Sequence, residues 1–245
     1  MGYTTGIHVL GQVRLHDGAP IIKGTKTRAL LVTLMLRANG GVSLETITES
    51  LWDGEPPRSA VANIRTQVSA LRRVLDAKAT LAGVPGGYRL DVPIDFCDHL
   101  RFLDQVAVGR AALADGDISH AIKPLATALS LWDGDRAAIG VPRYGPLHGW
   151  LNHLDEERTR AAEDLADAHI RLGEPHAALS HLSDLLAVSP LRGRSWELRM
   201  LAHHRLGELG QVSDAYRTAV ATFRRELGIA PDDRLSTLHR TLLQS

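Results

Sequence analysis

A helix with basic residues along one side, followed directly by a glycine-containing hairpin, is the most constraining feature of this chain. In PRSAVANIRTQVSALRRVLD, Ile64, Val68, Leu71 and Leu75 recur at steps of four, three and four and form one apolar stripe. The segment 58–78 carries five basic residues and one acidic residue. Such a helix is typical of an element that enters a nucleic-acid groove, although a solvated amphipathic helix has the same pattern.

Two further helices are predicted upstream, in TKTRALLVTLMLRANGG and SLETITESLW. Asn39 and the two glycines after it suit a left-handed cap for the first helix, and Ser43 suits the N-cap of the second. The prolines of DGEPPR end the second helix and predict a loop before the basic helix. Three helices closed by the hairpin TLAGVPGGYRL predict a winged helix-turn-helix, in which the hairpin is the wing.

A small β-sheet is predicted ahead of these helices. Ile7, Val9, Val13 and Leu15 alternate as in a strand, and Asp17-Gly18 is a strong two-residue hairpin signal.

The second half of the chain has a repeated helical pattern. After Gly116 and again after Gly173, small or apolar residues follow at the same offsets, Ala121, Leu125 and Ala128 in one block and Ala178, Leu182 and Leu185 in the other. This spacing is typical of tetratricopeptide repeats, in which small residues let paired helices approach closely. We therefore predict a mainly α-helical protein with two domains. A winged helix-turn-helix domain occupies residues 1–95, and an all-α repeat domain occupies residues 96–245.

The ordered set of motifs resembles the Streptomyces antibiotic regulatory protein family. The motifs VSLETITESLW, EPPRSA, VSALRRVL and PGGYRL resemble its OmpR-type winged helix, and FRRELGIAPDDRLSTLHRTLL resembles its bacterial transcriptional activation domain. The resemblance implies an activator of a secondary-metabolite gene cluster. It also implies that two monomers bind direct repeats near a promoter as a dimer and recruit RNA polymerase with its sigma factor.

Charge and composition agree with a two-part regulator. Residues 1–95 carry 11 basic and 8 acidic residues, whereas residues 96–245 carry 17 and 20. The first part is therefore the one suited to a polyanion. The single cysteine, Cys97, excludes an internal disulfide. No signal peptide and no apolar run of membrane-spanning length is present, so we expect a bacterial cytoplasmic protein located at the nucleoid, without a membrane partner.

Catalytic and metal-binding interpretations find little support. The sequence contains no GxxxxGK[ST], HExxH or GxSxG motif. Histidine pairs such as His148 and His153 are five residues apart and would point in different directions on a helix, and the adjacent His203 and His204 also face apart. We expect no enzyme activity, no cofactor and no metal.

The candidate site residues fall into three groups. Arg65, Thr66, Ser69 and Arg73 are expected to face base edges or adjacent phosphates, and Arg58, Arg72 and Lys78 to hold the phosphate backbone. Arg89, expected near the wing tip, is a candidate for the adjacent minor groove. By resemblance to the family, the loop that contains Asp53, Gly54 and Glu55 is a candidate contact for polymerase. The alternative function is a helical-repeat adaptor whose winged helix binds protein instead of DNA.

Overall fold

The computed structural model describes residues 6–15 and 22–244. Within this part the chain forms ten α-helices, a three-stranded sheet and a short 3-10 helix at Ile94–Phe96. The mainly helical fold class is confirmed. The chain divides into two compact units, which are not contiguous in the sequence. The first comprises the residues up to Asp104 together with Ser130–Glu157, and the second comprises Gln105–Leu129 and the residues from Arg158 onward.

Three helices and the sheet form the centre of the first unit. The helices are α1 (Thr25–Met35), α2 (Leu44–Leu51) and α3 (Ala60–Val74). All three helices were predicted from the sequence, and so were the residue that ends α1 and the residue that caps α2. Asn39 has a φ of 65°, which is the predicted left-handed conformation after α1. Ser43 caps α2, because its hydroxyl oxygen accepts a hydrogen bond from the Thr46 amide at 3.1 Å.

The sheet joins the start of α2 to the predicted wing. Its strands are β1 (Gly41–Ser43), β2 (Thr80–Val84) and β3 (Gly87–Asp91). They are antiparallel in the order β1-β3-β2, so that β3 is central. Pro85 and Gly86 form the two-residue turn between β2 and β3, and Gly86 has a φ of 74°. Proline followed by a residue with positive φ fits a type II turn, and the predicted hairpin is confirmed.

The predicted N-terminal strand is wrong for residues 6–15. This segment makes isolated bridges instead, from Ile7 to Cys97, from Gly11 to Asp133 and from Gln12 to Ile139. The reason is that it meets two separate chain segments in turn, each over too few residues to form a ladder. Gly11 lies so close to Asp133 that a Cβ there would be 1.8 Å from the carbonyl oxygen of Asp133. The predicted Asp17-Gly18 turn lies outside the described residues.

The segment Ser130–Glu157, which follows the first predicted repeat, belongs to the first unit. Its backbone amides at Asp133 and Ala138 donate hydrogen bonds of 2.8 Å to the carbonyls of Leu10 and Val9. The Trp132 ring packs edge-on against Phe102, with ring centroids 5.4 Å apart. The predicted boundary between residues 95 and 96 stays a prediction.

In the part of the second unit that the structure describes, all of the regular elements are helices. Four of them lie entirely within it, namely α7 (Pro175–Val188), α8 (Gly193–Arg205), α9 (Leu209–Leu227) and α10 (Asp233–Gln244). Three helices contribute residues to both units, namely α4 (Asp98–Ala114), α5 (Ile118–Ser130) and α6 (Gly145–Arg171).

The repeat signals identified in the sequence lie at equivalent places in the second unit. Gly116, Gly173 and Gly207 have φ values of 80°, 78° and 74°, which place each in the left-handed conformation at a turn between paired helices. The small and apolar residues at the matching offsets are buried, namely Ala121, Leu125, Ala128, Ala178, Leu182 and Leu185. Because these residues are small or apolar, the paired helices pack closely, and the repeat prediction is confirmed.

Candidate nucleic-acid interface

α3 is fixed by its apolar stripe. Ile64, Val68 and Leu71 are buried, and α3 packs against α1, α2 and β2. On the side toward α1, the Thr27 hydroxyl donates a hydrogen bond to Oε1 of Gln67. Gln67 is half-buried. Since one side of the helix is held in this way, its opposite side is presented to solvent in a defined orientation.

The structure brings the four predicted base-facing residues together on the exposed side of α3. Arg65, Thr66, Ser69 and Arg73 are all exposed. The hydroxyls of Thr66 and Ser69 donate hydrogen bonds to carbonyls one turn earlier, at 3.1 Å and 3.0 Å. Each hydroxyl oxygen can still accept a hydrogen bond. α3 contains no acidic residue. This face therefore offers positive charge and polar groups at the spacing of successive helical turns.

Arg72 is attached to the sheet. Its Nε donates a hydrogen bond of 2.9 Å to the Leu81 carbonyl in β2. Sequence reasoning assigned Arg72 to the DNA backbone alone and missed this link, because the partner is nine residues away in a different element.

The two remaining flanking residues, Arg58 and Lys78, lie beyond the ends of α3. Arg58 is exposed in the turn that precedes the helix. Lys78 is exposed in the turn that follows it, and its ammonium lies 5.7 Å from the centre of the Phe96 ring. Both charges therefore bracket the helix, as the sequence suggested.

Arg89 does not lie at the hairpin turn. It is the central residue of β3, opposite Gly41 on one side and Ala82 on the other. Its guanidinium forms an ion pair with Asp91, with Nε 2.8 Å from Oδ1. The sequence expectation of a position near the wing tip was wrong, because the two-residue turn places the tip at Pro85 and Gly86.

The hairpin turn itself is uncharged and docked. Leu81–Gly87 contains no charged residue. The Leu44 amide at the start of α2 donates a hydrogen bond of 2.8 Å to the Gly86 carbonyl. A Cβ at Gly87 would lie 1.9 Å from the carbonyl oxygen of Val42, so this position requires glycine. The basic character of the surface therefore resides on α3 and its flanks.

The acidic loop between α2 and α3 is exposed. Asp53, Gly54 and Glu55 are all solvent-accessible, and Gly54 has a φ of 75°. The loop borders a groove of about 530 Å³ between α2 and the start of α3. Its apolar lining includes Leu44, Pro56 and Val61, and its acidic rim consists of Glu45, Glu49 and Glu55. The negative charge of this rim would attract a basic protein surface. It would repel the phosphates of DNA, so the groove does not suit a DNA-binding site.

One cluster has the residue types of a metal site. In the described residues, potential ligand atoms of Cys97, Asp98 and His99 lie within 4.8 Å of one another, and all three side chains are buried. Each is engaged within the protein. Cys97 Sγ is 2.8 Å from His99 Nδ1, and the Asp98 carboxylate accepts hydrogen bonds from the amides of Val9 and Leu10. Burial, with a smaller contribution from Asp98, raises the pKa of the Cys97 thiol, which disfavours a thiolate ligand.

Two family models match the chain. The first, described as "Transcriptional regulatory protein, C terminal", matches residues 18–90. The second, "Bacterial transcriptional activator domain", matches residues 97–243. Both describe transcriptional regulators, and neither describes an enzyme.

The chain is similar to bacterial regulators over almost all of its own length and over part of theirs. It is 34% identical to the transcriptional regulator RedD of Streptomyces coelicolor, covering 97% of this chain and 70% of RedD. It is 36% identical to the regulatory protein AfsR of the same organism, covering 97% of this chain but 24% of AfsR. The solved structure of Mycobacterium tuberculosis EmbR, in complex with a low-affinity phosphopeptide, superposes with a TM-score of 0.87 at 28% identity, covering 99% of this chain and 66% of the EmbR chain.

A winged helix with an exposed basic helix, joined to a tetratricopeptide-like unit, defines a class of bacterial transcriptional regulators. With both family models matched in order, the chain belongs to the Streptomyces antibiotic regulatory protein family.

Across residues 6–15 and 22–244, none of the helices combines the length and the apolar character required to cross a membrane.

Proposed function

We propose that this protein is a sequence-specific DNA-binding activator that inserts α3 into the major groove. The observation that carries the proposal is the exposed face of α3, where Arg65, Thr66, Ser69 and Arg73 lie together without an acidic neighbour in the helix. Arginine can donate two hydrogen bonds to guanine, and hydroxyls can contact several bases. These four residues are therefore the proposed base readers.

Arg58, Arg72 and Lys78 are the proposed contacts to the phosphate backbone. Their positions around the exposed face of α3 suit residues that set the register of the helix without reading sequence. Arg72 has a second role in this proposal, since its Nε is bonded to Leu81 and its remaining N–H groups are left to reach a phosphate. Arg89 contributes a more distant charge, partly offset by Asp91.

Activation is assigned to the acidic loop and the groove beside it. In this proposal, Asp53, Gly54 and Glu55 contact RNA polymerase or its sigma factor while α3 holds the promoter. Two monomers bind direct repeats as a dimer, and the regulated genes form a secondary-metabolite cluster, as the family implies. The protein would act in the bacterial cytoplasm, at the nucleoid.

DNA binding is tested by titrating the full chain with duplexes selected from a random library, at several salt concentrations. The three phosphate contacts named above predict an affinity loss of roughly fortyfold per monomer for a fourfold rise in salt, and neutralisation of two further phosphates by Arg65 and Arg73 would raise the loss to roughly several hundredfold. Arg65→Ala should lower affinity for the selected site by roughly 1 to 3 kcal/mol and relax the preference at one position. A folded protein that binds no duplex would instead support the adaptor function.

A further inference from the structure

The two side-chain amides of α3 have different surroundings. Gln67 faces α1 and is bonded to Thr27. Asn63, one turn nearer the start of the helix, is exposed. Within the described residues, the hydrogen bond of its side chain runs from Nδ2 to the Ser59 hydroxyl at 3.3 Å, which is long for a bond of this type. The carboxamide of Asn63 can therefore exchange this bond for a partner outside the protein at little cost.

The side chains beside Asn63 leave room for a close approach. Ser59 and Thr66, which lie about one turn before and after Asn63, are both exposed and small. Small neighbours on the helix surface allow a base edge to come close to the Asn63 carboxamide. Asn63 is the fourth residue of α3, and the first residues of a groove-inserted helix are those that contact base edges.

We infer that Asn63 is a further specificity-determining residue, which reads an adenine in the major groove. This inference rests on the proposed DNA-binding function. A carboxamide matches the major-groove edge of adenine, because Oδ1 accepts a hydrogen bond from the N6 amino group while Nδ2 donates one to N7. Arginine has donors only, and a hydroxyl carries its donor and its acceptor on one atom, so neither can make this two-atom contact with N6 and N7. In α3 the only other amide, that of Gln67, is occupied by Thr27.

The experiment compares the full wild-type chain with Asn63→Ala on the duplex that the wild type selects. At one position the wild type should prefer adenine, and replacing that A·T pair should weaken wild-type binding about 5- to 150-fold. The same base change should leave Asn63→Ala almost unaffected. A duplex with 7-deazaadenine at that position removes only the N7 acceptor. It should weaken the wild type and not the variant.

Gln67→Ala is the matched control, since it removes the other amide of the same helix. It should keep the adenine preference of the wild type. Thermal unfolding of both variants identifies any loss of folding.

The outcomes separate the inference from the function on which it rests. If the wild type binds no duplex, both fail. If the wild type binds and Asn63→Ala selects the same site with the same preferences, the inference alone is overturned. An equal loss of affinity on selected and random duplexes would make Asn63 a backbone contact and would also overturn it.

Discussion

Arg72 in α3 donates a hydrogen bond from Nε to the carbonyl of Leu81 in β2, over 2.9 Å. The bond ties the C-terminal turn of the basic helix to the first strand of the hairpin. Within the described residues, the hydrogen bond of Arg73, the next residue, runs to the Ser69 carbonyl of its own helix, at 3.3 Å. Two adjacent arginines on one helix therefore have different structural roles, and this difference can be measured.

Arg72→Ala should lower both the free energy of unfolding and the affinity for DNA, whereas Arg73→Ala should lower only the affinity. Loss of the bond to Leu81 should lower the free energy of unfolding by about 1 to 2 kcal/mol, whereas loss of Arg73, which is exposed and bonded within its own helix, should lower it by less than about 0.5 kcal/mol. Urea denaturation gives the first quantity and fluorescence anisotropy with labelled duplex gives the second. Equal stability of the two variants would show that the bond to Leu81 contributes nothing.

Asn39 is expected to be important for the stability of the first unit. Its side-chain amide donates to the Val92 carbonyl at 3.0 Å and accepts from the Val92 amide at 2.9 Å, while its backbone is left-handed. Asn39→Ala should lower the free energy of unfolding by about 2 to 4 kcal/mol, because it loses both bonds and retains the strained backbone. Asn39→Gly loses the bonds but tolerates the backbone, so it should lie between wild type and Asn39→Ala in urea denaturation. If glycine is no better than alanine, the conformational part of this explanation is wrong.

His99 should make the protein sensitive to mild acid. Burial lowers the pKa of His99 from 6.5 to about 4, so the folded state keeps the imidazole neutral. As the pH falls below 6.5, the unfolded state takes up a proton that the folded state does not, and stability is lost until the pH reaches the folded pKa. The total is on the order of 3 kcal/mol, which is present above pH 6.5 and lost by about pH 4.

His99→Gln should flatten this part of the stability profile, measured by urea denaturation between pH 4 and 7. His153 is exposed on α6. His153→Gln therefore serves as the control and should leave the profile unchanged. Parallel profiles for wild type and His99→Gln would show that the acid sensitivity has another origin.

Local sequence signals predicted much of the fold, and long-range contacts account for what they missed. The Ser43 cap, the left-handed Asn39 and the apolar stripe of α3 each depend on residues within a few positions, so the sequence contains the information directly. The bonds from the amides of Val9 and Leu10 to Asp98 span almost 90 residues. No periodicity indicates such a partner, and the segment 6–15 was therefore predicted as a strand.

In the candidate site, too, local sequence patterns predicted some features, whereas contacts between distant segments determine others. Helical periodicity placed Arg65, Thr66, Ser69 and Arg73 on the exposed face of α3, because their exposure follows from the buried stripe opposite them. The bond between Arg72 and Leu81 depends on how the hairpin packs against α3. The proline and glycine at the turn could have indicated that Arg89 lies inside a strand, since a two-residue turn leaves it in β3.

The acidic loop permits a prediction that separates DNA binding from activation. Replacing Asp53 and Glu55 together by alanine removes two exposed negative charges from the loop that leads into α3. DNA affinity should hold or rise slightly, because repulsion of the phosphates decreases. If the loop contacts polymerase, transcription from the selected promoter should nevertheless fall, because the polar contacts at that protein interface are lost while α3 still holds the DNA.

The measurement is a binding isotherm and an in vitro transcription assay on the same template. Asp115 and Asp184 are exposed residues of the second unit, so their double alanine variant makes the same change in net charge away from the loop. This control should leave transcription at the wild-type level. If the output of the loop variant follows DNA occupancy alone, the loop is only a connection, and activation, if it occurs, must then run through the helical repeats.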